Sequence, residues 1–285
     1  MQSMSKIALI TDSSNDLPPE LLARHNISVV PLIIHFGGDE LPDIWENREI
    51  FWERLARGEV PRSAAPAVGD FHAVMAAALE EADEALVLTV TGKHSSTYNS
   101  ALLAAQEFDG RVQVFDSWSL SLGLGLLVLH AASLIAQDAS MSEILAELTD
   151  ARRRLRLVLY LDSLDSIQRS GRIALAMGTI KRMSAMLSIK IVLRVDEGEL
   201  KFVGAVRSAR KGMRRIIDAI AGNRAQAVAV SHTRAPKQAM QLADMAAIAL
   251  EFPREDILIN EAGPILGVHG GFGAFGVAFI AEDED

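Results

Sequence analysis

Short apolar runs of four to eight residues alternate along this chain with longer stretches of helical periodicity, and this alternation constrains the fold more than any other feature. A strand followed repeatedly by a helix returns to its own sheet by a crossover, which builds βα units around a largely parallel sheet. The pattern predicts strands at Ile7–Thr11, Ser28–His35, Ala85–Thr91, Val112–Phe115, Leu157–Leu161, Ile189–Val195, Leu200–Val206, Ala227–Ser231, Ile257–Asn260 and Gly276–Ile280. It predicts helices at Pro18–Ala23, Glu49–Ala56, Gly69–Ala82, Thr97–Ala105, Ser121–Ala136, Met141–Arg154, Ala209–Ala221 and Pro236–Leu250. The two runs flanking Asp196-Glu197-Gly198 read as an antiparallel hairpin, because a tight glycine-containing turn joins them. The expectation is an α/β protein of two domains. Residues 1–160 form an N-terminal domain with a largely parallel sheet, and residues 161–285 form a C-terminal domain with mixed strands.

The 285 residues are 49% hydrophobic and 23% charged, which supplies enough apolar surface for two cores and excludes disorder as the main state. A formal charge of −9 argues against a protein that coats nucleic acid through general basicity. With no cysteine, the chain has no disulfide, thiolate zinc site, iron–sulfur cluster or cysteine nucleophile. The N-terminal apolar run ends after four residues at Thr11, too short for the core of a secretion signal, so a cytoplasmic protein is expected.

Two segments depart from the average. Residues 151–215 hold 16 Lys and Arg against five Asp and Glu, an excess of eleven within a chain that is acidic overall. Arg152 to Arg156 and the cluster Arg207, Arg210, Lys211, Arg214 and Arg215 read either as solvated faces or as a docking surface for an acidic partner or an anionic membrane. Trp118 to Gln137 spans 20 residues without a formal charge, the length of a membrane crossing. Its serines, His130 and the flanking Asp116 and Asp138 point instead to a helix buried on most sides, with Gly123 and Gly125 letting a neighbour approach closely.

Four loops lie at or near predicted strand ends, where open α/β sheets place ligands. Thr11 to Pro19 is a helix start whose Asp12, Ser13 and Ser14 exceed what a cap needs. Pro61 to Pro66 precedes a helix. Thr91 to Ala101 carries Ser95, Ser96 and Thr97 at a helix N-terminus, where unpaired N–H groups and hydroxyls suit an anionic oxygen. Gly267 to Gly276 contains a formal G-x-G-x-x-G at Gly271, Gly273 and Gly276, but nine residues after it leave no room for the helix and acidic residue of a dinucleotide site. His269 stands at its mouth. No nucleotide phosphate loop, nucleophile elbow or close histidine pair for a metal is present in the sequence. A Ser–His–Asp hydrolase assembled from Ser95, His269 and Asp12 stays open on residue types alone.

Five segments occur in order: TDSSNDL from Thr11, Ser95 to Tyr98 followed by Ser100 and Ala101, Asp116-Ser117 with Ser121 to Gly125, Ser170 to Ile173, and His269 to Gly273. Together they resemble the DegV family of bacterial lipid-binding proteins over Ile7 to Ile280. They match its TDSS opening, SGTY-x-SA, DS…S-x-G-x-G, GGRI and HTGPG motifs. The resemblance implies a two-domain α/β fold enclosing one long-chain fatty acid, such as a C16 palmitate, in a tunnel between the domains, with no other cofactor. In members that work with a fatty acid kinase, the acid is presented to that enzyme, which makes acyl phosphate for phospholipid synthesis. The protein is then a carrier and not an enzyme, with transient contact to a membrane surface.

Carried over by position, the resemblance implies that Ser63, Ser95, His269 and Arg172 hold the carboxylate. Ser13, Ser96, Thr97, Gly270 and Gly271 form the polar loops beside it, and Arg207 faces the kinase. Ser63 to Pro66 stands where the family has TSQP, keeping one hydroxyl. Ser96 replaces a Gly, Gly270 a Thr, Phe272 a Pro and Ile191 the Pro of a KP pair. Two readings from other classes compete: a lipid or ester hydrolase using Ser95 and His269, and an anion-binding regulatory module docking through residues 151–215.

Overall fold

In the computed structural model, which describes residues 5–163, 165–166 and 189–283, the first apolar run becomes strand β1 (Ile7–Asp12). It lies between β2 (Ile27–Val30) and β6 (Glu84–Thr89), and β7 (Val112–Asp116) completes a four-stranded parallel sheet of order β2-β1-β6-β7. The expected strand Ser28–His35 is two strands. Pro31 has no N–H for a ladder, and beyond it the chain leaves this sheet as β3 (Ile33–Phe36). β3 is the centre of a small antiparallel sheet between β4 (Asp39–Pro42) and β5 (Pro61–Ala64). Neither edge strand shows hydrophobic alternation, and β5 takes its Pro at the first position, where an edge strand tolerates it.

The second large sheet has six strands in the order β10-β9-β8-β13-β11-β12. These are β8 (Leu155–Leu161), β9 (Lys190–Asp196), β10 (Glu199–Val206), β11 (Ala225–His232), β12 (Leu258–Glu261) and β13 (Phe275–Ala281). All pairs are antiparallel except β11 with β12, so the sheet is mixed as expected. The hairpin forms with Glu197 and Gly198 both at positive φ, 49° and 82°, the conformation that a two-residue type I′ turn requires.

Helices cover both faces of the two large sheets. α1 (Pro19–Arg24) and α2 (Arg48–Ala56) lie in the N-terminal half. α3 (Val68–Leu79) and α4 (Thr97–Ala105) cover one face of the parallel sheet, burying Phe71, Met75, Ala101 and Ala104 against Ile10, Ala85 and Val87. α5 (Leu122–Ala136) lies between the two large sheets, touching β1 and β6 on one side and β8, β11 and β13 on the other. Its neighbours in one continuous core include Leu86 and Leu88 from the first sheet and Leu157, Ala229 and Ala278 from the second. This is why the 20-residue segment carries no charge: two faces of the helix are covered by sheet. No helix among the described residues is long and apolar enough to cross a membrane. α6 (Met141–Arg154) follows, started by a reciprocal capping box in which Ser140 and Glu143 satisfy each other's backbone N–H groups. α7 (Ala209–Ile220) and α8 (Pro236–Ala249) cover the outer face of the mixed sheet.

One helix is absent from the sequence expectation. α9 (Pro264–Gly270) occupies the first half of the glycine-rich segment read as a loop. It is only seven residues long and begins at a proline, and it packs with α2 and β3 through Phe51, Trp52, Ile34, Ile265 and Val268. Gly267 makes that approach feasible, because a Cβ there would stand 2.5 Å from Phe51. The remaining glycines, Gly271 and Gly273 at positive φ, turn the chain into β13, so the formal G-x-G-x-x-G is a turn before a terminal strand.

The packing of α5 gives a direct test. Gly→Ala in an exposed helix gains up to about 1 kcal/mol. At Gly125 the added Cβ would stand 2.7 Å from the Asn15 carbonyl and 3.0 Å from Leu17. Gly125→Ala is therefore expected to reverse the usual sign and destabilise by about 1–3 kcal/mol, read as a lowered urea midpoint; a raised midpoint would show that α5 can move away from the residue 12–17 loop.

Candidate ligand-binding site

The loop after β1 is the frame on which the site is built. Asp12, fully buried, accepts hydrogen bonds from Ser14 N at 2.9 Å, Ser14 Oγ at 2.5 Å and Val90 N at 2.7 Å, which ties this loop to the one after β6. Asn15 donates to the Asp12 carbonyl and accepts from Leu17 N. Asp16, at φ 55°, reaches across to the C-terminal half: Oδ1 accepts from Gly263 N at 2.7 Å, just before α9, and Oδ2 accepts from Ser121 Oγ at 2.5 Å, just before α5. Burial pushes the Asp16 carboxyl up to about 6, with Arg48 opposing. Asp43 beside it is pushed up to about 7, by burial first and also by the charge of Asp16, against the nearby Ser13 hydroxyl.

A cavity of about 840 Å³ opens where the loops after β1, β6 and β11, strand β5, the start of α5 and helix α9 meet the inner face of the mixed sheet. This is the size of sites that hold small organic ligands. Its body is apolar: Leu157, Leu159 and Leu161 alternate along β8 and are joined by Leu193 and Leu200 from the hairpin. Its polar end carries Ser63, Ser95, Ser96, His94 and His269. No Asp or Glu lines it among the described residues.

Ser63, on β5, and His269, on α9, meet with Oγ and Nε2 3.0 Å apart although 206 positions separate them. Ser95 lies at the start of α4, its Oγ 2.7 Å from Thr97 Oγ1 and accepting from Thr97 N at 3.2 Å. Ser96 and Gly270 also line the cavity. Three of the polar-loop residues have structural roles instead. Ser13 accepts from Leu32 N at 3.0 Å, Thr97 is buried and bonds Ser95, and Gly271 ends α9 at φ 65°. Arg207 is exposed between β10 and α7, away from the cavity lining. Arg172 lies outside the described residues. The Ser95–His269 contact on which the hydrolase reading depends is replaced by Ser95–Thr97 and Ser63–His269 contacts.

Sequence reasoning missed several lining groups. His94 accepts from Leu200 N at 3.1 Å, and Thr91 Oγ1 donates to the Gly198 carbonyl at 3.1 Å, so the hairpin is clasped to the loop that carries Ser95. His232 ends β11 and Thr233 follows it; His232 accepts from Ala235 N at 3.3 Å, and burial holds its imidazole below the usual range. The signal for this pair was the strand-end position of the Ser231-His232-Thr233 segment, of the same kind that marked Ser95. No cluster of metal-ligating side chains is present among the described residues.

The raised carboxyls set a pH dependence. A folded-state pKa above the unfolded value means that the native protein holds more protons across the interval, so stability falls as pH rises from about 4 to about 7 on account of Asp16 and Asp43. Asp43→Asn removes one of these groups. The variant is expected to melt higher than the parent at pH 8, with the difference shrinking towards pH 5; a difference independent of pH would show that Asp43 titrates normally.

Comparison with known proteins agrees with this architecture. The family model described as an uncharacterised protein of the DegV family matches residues 6–282. A DegV domain-containing protein of Deinococcus radiodurans is 35% identical over 283 residues, covering 95% of this chain and 97% of its own. One from Caldanaerobacter subterraneus is 33% identical over 282 residues, covering 97% and 99%. Among solved structures, a fatty-acid-binding DegV family protein from Thermus thermophilus superimposes with a TM-score of 0.88 at 33% identity, covering 97% of this chain and all of that one. DegV from Bacillus subtilis, a fatty acid binding protein, gives 0.81 at 25% identity, covering 98% and 100%. On the match of its whole length in sequence and fold, the chain belongs to the DegV family.

Proposed function

We propose that this protein is a cytoplasmic carrier that binds one long-chain fatty acid in the cavity and presents its carboxylate to a separate fatty acid kinase for acyl-phosphate formation. The observation that carries the reading is the cavity's polarity: a leucine-lined body ending in hydroxyl and imidazole groups, with no acidic residue among those described. The fatty-acid-binding relatives from Thermus thermophilus and Bacillus subtilis support it.

The physical terms are consistent. A C16 tail has about 14 methylenes, and at ~0.8 kcal/mol each its burial contributes roughly 11 kcal/mol before ordering costs. A buried carboxylate must be hydrogen-bonded or its desolvation cancels much of that gain. Ser63 and Ser95 are the proposed direct donors, with His269 behind Ser63 in the same network. A carboxylate only accepts, so Ser63 gives it the hydroxyl proton, and its oxygen then accepts from His269 Nε2–H across the 3.0 Å contact. Ser95 Oγ accepts from Thr97 N and, with Thr97 Oγ1 as the donor across their 2.7 Å contact, keeps its own proton for the carboxylate. Arg207, exposed beyond β10, is the proposed kinase contact; Arg207→Glu is expected to abolish co-elution with such a kinase while leaving lipid loading intact.

Ser63→Ala and Ser95→Ala are each expected to weaken displacement of a fluorescent fatty acid by palmitate about 10–100-fold, the range for a hydrogen bond to a charged group. His269→Gln, which keeps a donor, is expected to lose less than His269→Ala. Unchanged affinity in all four variants, or a purified protein that neither carries nor takes up a fatty acid by native mass spectrometry, would overturn the assignment.

A further inference from the structure

Among the described residues, the basic side chains of 151–215 divide into groups in different settings. Arg152 lies over the rings of Phe115 and Trp118 at 4.6 and 3.7 Å and donates to the Asp116 carbonyl at 2.7 Å. Arg154 pairs with Asp150 at 2.7 Å and Asp283 at 3.1 Å and donates to the Ala281 carbonyl. Both are held by the fold. Arg153 and Arg156 are different. Among the described residues the Arg153 guanidinium makes no hydrogen bond or ion pair, and that of Arg156 donates to two carbonyls, of Arg153 at 2.6 Å and Leu155 at 3.1 Å, with no carboxylate partner.

These two arginines border a notch of about 480 Å³ together with Arg194. It lies where the ladder between β8 and β9 ends at the pair Leu157–Val195, so the start of β8 and the hairpin turn diverge. Trp118 lines it as well. Leu157 borders both this notch and the main cavity, which places the two recesses on either side of one strand residue. Two acidic residues also line the notch. Asp196 is engaged by Lys201 at 2.8 Å and Arg194 at 3.3 Å, and the hydrogen bond from Lys201 keeps its carboxyl below the usual range. Glu197 is exposed on the hairpin turn.

Three guanidiniums around one recess, two of them without a carboxylate, repel one another, and a ligand with several anionic oxygens relieves that repulsion by accepting from their forked N–H groups. Carboxylates offer two oxygens in one plane; a phosphoryl group offers three around a tetrahedral centre, which suits donors arriving from a helix end and two strands. We propose that this notch is a second binding site, for a phosphate-bearing group held by Arg153, Arg156 and Arg194. The group can belong to a soluble phosphoester or to the head of a phospholipid, and the two sources are separable by experiment.

The full-length protein is titrated at low ionic strength with inorganic pyrophosphate by calorimetry, and is sedimented with phosphatidylcholine vesicles made with and without phosphatidic acid. The notch variant Arg153→Gln/Arg156→Gln is compared with Arg210→Gln/Arg214→Gln, which removes the same charge from the exposed surface of α7. Saturable pyrophosphate binding that weakens at least about tenfold in the notch variant and stays within about twofold in the control supports a soluble ligand. Sedimentation that requires phosphatidic acid and is lost in the notch variant alone supports a lipid head group. Binding in neither arm, or equal losses in the two variants, overturns the site. Fatty acid loading, which uses none of these arginines, is read in parallel as a check of folding, and Arg194→Gln alone replaces the double variant should that variant fail to fold.

Discussion

The site rests on a buried carboxylate that joins the two halves of the protein. Asp16 accepts from Gly263 N ahead of α9 and from Ser121 Oγ ahead of α5, and its own carbonyl accepts from Asn260 Nδ2 at 2.7 Å. An isolated carboxylate in such a place is prohibitively costly, so the bonds are obligatory once the residue is there. Arg48 offsets part of the charge and is itself fixed by donating to the Glu261 carbonyl at 2.6 Å. The start of α9, the start of α5 and the loop after β1 therefore hold a common geometry. His269 at the far end of α9 inherits its position from that arrangement and from the packing of Gly267 against Phe51 and Trp52. A polar end assembled from both halves stays rigid only if the halves are locked together, and Asp16 is the polar part of that lock beside the continuous core around α5.

The apolar part of the cavity follows from how α5 is used. Packed between two sheets, the helix is buried from Leu122 to Val128 and exposed only at Ser133 and Ala136 near its end, which explains both its lack of charge and its glycines at the points of closest approach. The same helix fills part of the space over the mixed sheet. Leu157, near the start of β8, belongs to the core around α5, whereas Leu161, at the end of the strand, belongs to a separate small cluster with Ile191, Leu193 and Ala274. The cavity runs along these leucines, so one strand with period-2 alternation supplies packing at one end and a ligand surface at the other.

The sequence made much of this fold legible where periodicity was long or turn chemistry explicit. The βα alternation, the boundaries of α6 and the Asp196–Glu199 hairpin were all readable. Strand β5 and helix α9, which carry Ser63 and His269, were not, and for a common reason. Each is short, starts at a proline and gains its stability from tertiary partners: β5 from pairing with β3, and α9 from the aromatic cluster on α2. Local propensity says little about such elements. The meeting of Ser63 with His269 is likewise a product of two remote packings, and only the family resemblance suggested it. The three hydroxyls at Ser95 to Thr97 were readable as a group, but the sequence overstated their availability. Ser95 and Thr97 bond each other across the turn, so of the two hydroxyls that line the cavity, Ser95 and Ser96, the first is already shared with Thr97.

The way the polar end is built determines what it can contribute to the proposed fatty acid binding. Among the described residues its donors are hydroxyls and imidazoles, with the exposed Lys93 also on the lining, and a hydroxyl or imidazole hydrogen bond replaces lost water contacts at a net worth of about 1–3 kcal/mol each. The tail's burial, at roughly 11 kcal/mol gross, is several times larger. Affinity is then governed by how well the leucine-lined body accommodates the chain, and the head-group residues govern orientation. Among the described residues no fully buried counter-charge lines the polar end, so in the proposed complex the carboxylate's oxygens stay chemically available where residues from both halves converge. A buried arginine pair in the same place would raise affinity for any anion and hold the carboxylate's electrons in two strong hydrogen bonds, a poor arrangement for the nucleophile on phosphate that the proposed hand-over to a kinase requires.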